Sequence, residues 1–282
     1  MFRTKRFVLL VILLLAAAVL AVCRGFYRSR FSPESVSEPI AVTTHAAAET
    51  AVTADYANSQ TAETTAGTVT GTDTPQITQT RYEQIREHME LLQKSCSDFI
   101  GWLYIPDSEM NLPVVQGSDN DYYLSHAPDG TYYREGTIFL DYRSSPDLSD
   151  LHNILYGHNM MSGMFGDIRS YKDRAAFDRH LCGWFLTPDQ TYRIDFFALS
   201  VVSTYDVIYE TDAAHADWLA CILENAMHLS EPLPEETDRL ITLSTCSSEF
   251  ANARALFTGK LVPIEKEDEV ISQINEKGQP SQ

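Results

Sequence analysis

The chain has 282 residues, 44% of them hydrophobic and 11% aromatic, which is enough for one or two domains with a sizeable core. Its 21 Lys and Arg face 39 Asp and Glu, and six of the basic residues precede position 31 while no acidic one does. From Phe31 onward 15 basic residues therefore stand against 39 acidic ones, a net charge of −24. A body that negative has no basic footprint for a phosphate backbone, so nucleic acid is excluded as the expected partner. Five cysteines form no CxxC pair and no metal-ligand spacing with the histidines, so neither a metal site nor a cofactor is expected.

In chain order, the first feature is an uncharged 17-residue run at 7–23, preceded by Arg3, Lys5 and Arg6 and followed by Arg24, Arg28 and Arg30. That length reaches the lower end of a membrane span, and the basic cluster behind it disfavours signal cleavage. Residues 1–30 are thus expected to be a retained signal-anchor with the body outside, giving a single-pass membrane protein whose globular part is extracytoplasmic. A cleaved signal peptide is the alternative. The segment from Ser32 to Thr80 holds thirteen Thr, nine Ala and no Lys or Arg. It shows no lasting period and few large apolar groups, so 31–80 reads as a disordered stalk.

At Arg81 the pattern changes. Tyr82, Ile85, Met89, Leu92, Cys96 and Phe99 recur at alternating spacings of three and four, an amphipathic stripe that predicts a helix over 81–98. Beyond it, segments at 101–106, 112–117, 136–143, 152–158, 192–203, 238–246 and 253–262 are rich in β-branched and aromatic residues and broken by turns. Helical patches are expected near 164–180 and 213–228. Many strands with helices only as insertions imply a mostly β domain over 99–265, a closed or nearly closed barrel with a helical insertion before the strand that ends at Cys246. Residues 266–282 read as a polar tail.

Among the cysteines, Cys96, Cys182 and Cys221 fall in apolar or helical settings and read as small buried hydrophobes, although a disulfide among them is possible outside a cell. Cys246 differs. On a strand, Ile241 and Leu243 face a core while Thr242, Ser244 and Cys246 share the polar side. If the next strand returns as a hairpin, Arg254 stands on the same face. A nucleophilic thiol needs a base or an electropositive neighbour, and His158, at the end of the apolar run from Asn153 to Tyr156, is the best placed of eight histidines. Arg254 can supply the fixed positive charge that an acyl-transfer oxyanion needs.

The run Thr242, Leu243, Ser244, Thr245, Cys246 resembles the Thr-Leu-x-Thr-Cys signature of the sortases, cysteine transpeptidases of Gram-positive cell surfaces. Tyr156, Gly157, His158, Asn159 and Met160 are similar to that family's histidine segment, and Arg254 sits where its catalytic arginine is expected. The segments Gly101 to Pro106, Pro113 to Gly117, Asn120 to Leu124 and Ile138 to Arg143 resemble the class B branch, over about 99–264 in all. The resemblance implies an eight-stranded sortase barrel with an N-terminal helix and a long helical insertion between Val207 and Arg239. It also implies a two-step reaction: Cys246 attacks a Thr–Gly or Thr–Asn bond in the sorting motif of a secreted protein, and an amine of a cell-wall precursor or pilin takes the acyl group. His158 would move the proton and Arg254 would hold the oxyanion or the substrate backbone. Asn120, Leu124, Ser244 and Tyr209 would line the sorting-signal groove. Two other readings stay open on the residues alone. One is a cysteine hydrolase whose histidine is oriented by Asp141 or Asp206; the other is a stalked surface binding module without catalysis.

Overall fold

The computed structural model describes residues 79–277. The apolar run at 7–23 and the stretch at 31–78 lie outside the described residues. Among the described residues no helix is long and apolar enough to cross a membrane.

Helix α1 (Arg81–Ser95) starts at a capping box: the Thr80 hydroxyl accepts from the Glu83 N–H, and the Glu83 carboxylate accepts from the Thr80 N–H. Its apolar stripe buries Tyr82, Ile85 and Met89. The stripe does not run to Phe99 as a helix, because Cys96 is already extended and Phe99 opens the first strand. The strands are β1 (Phe99–Tyr104), β2 (Asn111–Val115), β3 (Ile138–Leu140), β4 (His152–Tyr156), β5 (Cys182–Leu186), β6 (Thr191–Ser203), β7 (Ala226–Leu229), β8 (Leu240–Cys246) and β9 (Ala253–Ile264). Their order is β5-β1-β2-β3-β4-β8-β9-β6, and β6 pairs back to β5, so eight strands close a barrel and abolish its edges. Strand β7 adds to β6 outside the ring. This is possible because β6 gives residues 191–195 to β5 and then, past an irregularity at Phe196/Ala198, residues 198–200 to β7.

The expected helical patches are shorter than their periodicity suggests. The first is a 3-10 run, Gly166–Lys172, followed by α2 (Arg174–Arg179); Asp173 separates them and caps α2 by accepting from the Ala176 N–H at 3.0 Å. The second is α3 (His215–Glu224), preceded by a 3-10 turn at Val207–Tyr209. Asn225 ends α3, and the residues from Ala226 to His228, expected in the helix, leave it and with Leu229 form the strand that pairs with β6. Strand β5 lies outside the segments whose composition marks them as strands: Cys182–Leu186 is a continuous apolar run buried from Gly183 onward, and such a run carries no period of two. The polar tail is also structured. Helix α4 (Glu267–Lys277) buries Val270 and Ile274, and the Asn275 side-chain oxygen accepts from the Tyr82 N–H of α1 at 3.2 Å.

The insertion between β6 and β8 lies against one face of β6, β8 and β9. Ile208, Cys221 and Ile222 pack there on Ala198, Val202, Leu240 and Leu256. The polar side of β8, expected to face solvent, is therefore covered: Thr242 and Ser244 are buried, and only Cys246 emerges. Since Ile274 is fully buried, Ile274→Ala is expected to destabilise the protein by about 2–4 kcal/mol in urea unfolding. A change below about 0.5 kcal/mol would show that α4 is not part of the cooperative unit.

Candidate active site

Strands β4 and β8 run parallel with Tyr156 opposite Ser244, so both chains leave the barrel at the same end. The pairing continues past the strand: the Gly157 N–H donates to the Ser244 carbonyl at 3.3 Å, and the Thr245 hydroxyl donates to the Gly157 carbonyl at 2.8 Å. Asn159 Nδ2 then donates to the Cys246 carbonyl at 2.7 Å. His158 and Cys246 are in this way tied together by the groups on either side of them. Gly157 has no room for a side chain, since a Cβ would lie 2.4 Å from Ile138 Cδ1 and 2.8 Å from Phe165 Cδ2. Phe165 closes the turn by donating its N–H to the His158 carbonyl at 3.1 Å.

Cys246 is the exposed thiol among the described residues, whereas Cys96 and Cys221 are buried and Cys182 is half-buried. Burial pushes the Cys96 and Cys221 thiols up, which keeps them protonated and inert. Across the β8–β9 ladder Cys246 stands directly opposite Arg254, so the two side chains share a face. Arg254 Nη1 donates to the adjacent Ala253 carbonyl at 3.1 Å. Beside them the Tyr209 hydroxyl and Ser244 Oγ are hydrogen-bonded at 2.8 Å. Burial pushes the Tyr209 phenol up to about 12, against the opposing pull of the Ser244 bond and the Arg254 charge. Tyr209 is thus a neutral hydroxyl within the field of Arg254.

His158 Nε2 lies 2.8 Å from the Leu124 carbonyl. A carbonyl only accepts, so Nε2 carries the proton and Nδ1 is left for exchange. Leu124 enters the site through its backbone carbonyl, and its side chain is exposed. Neither carboxylate considered as an orienting partner reaches His158. Asp206 accepts from the Ser203 N–H at 2.7 Å, and Asp141 is buried against Arg143, Asn120 and Tyr156. Asn120 has both ends of its amide in use, donating to Asp141 at 3.1 Å and accepting from the Tyr142 N–H at 3.0 Å. The structure therefore gathers Cys246, His158, Arg254, Ser244, Tyr209 and Leu124, while Asn120 stands behind them.

Sequence reasoning missed two supports. Asn159 follows His158 in the histidine segment, and its amide reaches the Cys246 carbonyl. Lys172 donates to Ser247 Oγ at 2.9 Å and pairs with Glu249, which pins the turn after Cys246; nothing in local spacing signals that contact. No group of His, Cys, Asp and Glu suited to a metal is present among the described residues. A polar cleft of about 390 Å³ opens beside the end of α1, among Asp98, Asp119, Tyr122 and Asp129, and takes in none of the gathered residues.

No family model matches the chain. Sortase B of Listeria monocytogenes is 35% identical over 186 residues, which cover 64% of this chain and 76% of that protein. The chain belongs to the class B sortases. Solved structures agree: the Staphylococcus aureus sortase B–substrate complex is 26% identical with a TM-score of 0.58, covering 64% of this chain and 87% of that one. A Bacillus anthracis protein described as similar to sortase B is 31% identical with a TM-score of 0.56, covering 63% and 83%. The eight-stranded barrel expected from the signature is the fold found, and the enzyme class is that of the cysteine transpeptidases.

In this sortase the pin beneath the turn after Cys246 carries a pH dependence. The hydrogen bond from Lys172, then that from Ser247, lowers Glu249 from its ordinary 4.5 to about 2. A depressed carboxylate adds stability above its unfolded value, and that stability is lost as pH falls from 4.5 towards about 2. Glu249→Gln is expected to flatten the decline of Tm across that window. An unchanged slope would show that the bridge does not form in solution.

Proposed function

We propose that Cys246, His158 and Arg254 carry out the transpeptidation on the sorting motif of secreted proteins. The observation that carries this reading is the opposition of Cys246 and Arg254 on β8 and β9, with His158 leaving the parallel neighbour at the same end. Cys246 passes its proton to His158 Nδ1 as its Sγ attacks the carbonyl of the Thr–Gly or Thr–Asn bond, and the Arg254 guanidinium stabilises the oxyanion. The Ser247 N–H, next to the nucleophile, is engaged with the Ala253 carbonyl at 3.0 Å, which leaves the arginine as the cationic donor beside the thiol. Collapse of the tetrahedral intermediate breaks the C–N bond, and His158 gives the leaving amine a proton. An amine of a cell-wall precursor or pilin then attacks the thioester, passes its proton to His158, and releases the Cys246 thiolate.

Ser244, Tyr209 and Leu124 form the groove wall, with Asn120 supporting it from behind. The existence of a substrate complex of the Staphylococcus aureus relative supports a peptide groove on this fold. Residues 7–23 anchor the chain in the cell membrane as a single pass, 31–80 act as a stalk, and the domain over 99–265 works outside the cytoplasm. A hydrolase of the Cys-His-carboxylate kind is disfavoured by the backbone carbonyl that stands where its carboxylate would.

The test is a set of quenched sorting-motif peptides incubated with the purified protein, with and without an amine acceptor. Cysteine-dependent cleavage giving an amine-ligated product is the expected result, and Cys246→Ala should abolish it while the fold persists. Arg254→Lys should lower turnover by roughly 10²–10³, since a point charge does not reproduce a planar fork. Full activity in either variant would remove that residue from its role.

A further inference from the structure

Asp141 follows β3 directly and is 1% exposed. Its backbone is fixed to the barrel: its N–H donates to the Ile154 carbonyl at 2.9 Å, and its carbonyl accepts from Gln116 Nε2 at 2.9 Å. Its carboxylate receives Arg143 Nε at 2.8 Å, Arg143 Nη2 at 2.7 Å, Tyr156 Oη–H at 2.9 Å and Asn120 Nδ2 at 3.1 Å. Tyr156 and Asn120 each belong to a segment that ends at the site. Tyr156 lies two residues before His158 on β4. Asn120 lies four residues before Leu124, whose carbonyl holds the His158 ring. Arg143 Nη2 also donates to the Tyr209 carbonyl at 3.3 Å, and Tyr209 in turn holds Ser244 through its hydroxyl.

We propose that Asp141 and Arg143 are positioning residues for the transpeptidase, setting the wall made by Tyr209 and Ser244 relative to His158. The inference rests on the reading of Cys246, His158 and Arg254 as the reacting groups. The pair joins a buried carboxylate to a guanidinium whose side chain is 34% exposed, and a pair screened by solvent on one side is a modest source of stability. What the pair supplies is direction. Its planar fork can hold Asp141 with two nitrogens and still extend one of them to a third segment, which ammonium geometry does not reproduce. Away from the groove the insertion is held by apolar packing, by β7 on β6 and by the Ser200 hydroxyl on the Ile222 carbonyl at 2.7 Å; at the groove the bond from Arg143 to the Tyr209 carbonyl and that between Tyr209 and Ser244 fix it.

Arg143→Lys separates the two roles, because it keeps a cation beside Asp141 while losing the fork. The experiment follows a quenched peptide of the Asn-Pro type, with Thr before the scissile bond and triglycine as acceptor. It also measures Tm and the rate at which iodoacetamide alkylates Cys246. KM for the peptide is expected to rise about tenfold, the factor carried by one charge-assisted hydrogen bond, with kcat held within about twofold. Tm and alkylation should stay close to those of the parent. Asp141→Asn, which removes the buried acceptor shared by Arg143, Tyr156 and Asn120, can unfold the chain and is informative only beside this variant. An unchanged KM in a folded Arg143→Lys would overturn the proposal, as would a loss of activity in step with loss of fold or of thiol reactivity. Parent protein that fails to turn over the same peptide would instead strike the acyl-transfer reading, and the positioning roles with it.

Discussion

The parallel pairing of β4 with β8 is the constraint on which the site depends. Parallel neighbours end on the same side of a sheet, so two segments far apart in sequence deliver His158 and Cys246 to one place. The antiparallel return through β9 then sets Arg254 opposite the cysteine. A slip of one residue in either ladder would turn one of these side chains to the other face, so the register itself specifies the chemistry. Closure of the ring through β5 and β6 holds that register, because a closed barrel has no free edge along which a strand can shift.

Covering the polar side of β8 creates a second requirement, because each buried polar group there needs a partner. Thr242 meets both His152 Nε2 at 2.9 Å and Thr258 Oγ1 at 3.1 Å, and Ser244 meets Tyr209. His152 illustrates how one strand makes two different histidines. Fully enclosed, it is lowered by burial to about 3 and stays neutral, a hydrogen-bonding core residue. His158, past the end of the same strand, is partly open and keeps one nitrogen for exchange. The insertion therefore does more than decorate the barrel: it buries the strand up to Ser244 and leaves the next outward-facing position, Cys246, exposed.

Much of this was legible because the chemistry lies where strands end. The alternation from Leu240 to Cys246, the apolar run before His158 and the distance from Cys246 to Arg254 each follow local periodicity, and together they carry the family signature. Periodicity failed where it had no purchase. Cys182–Leu186 is buried without alternation, and the residues from Ala226 to His228 fit a helical stripe until the open side of β6 claims them. Residues from Glu267 onward look polar because only Val270 and Ile274 are needed to dock α4. The amide of Asn120 serves Asp141, a partner that only the folded barrel brings within reach.

The most direct test of the account is the intact mass of the protein, followed by peptide mapping, after a short incubation with a cleavable sorting peptide. The account predicts an acyl adduct carried on Cys246, which disappears when an amine is added and reappears as an amide-linked product. An adduct on another residue, or cleavage to free acid that no amine diverts, would contradict it.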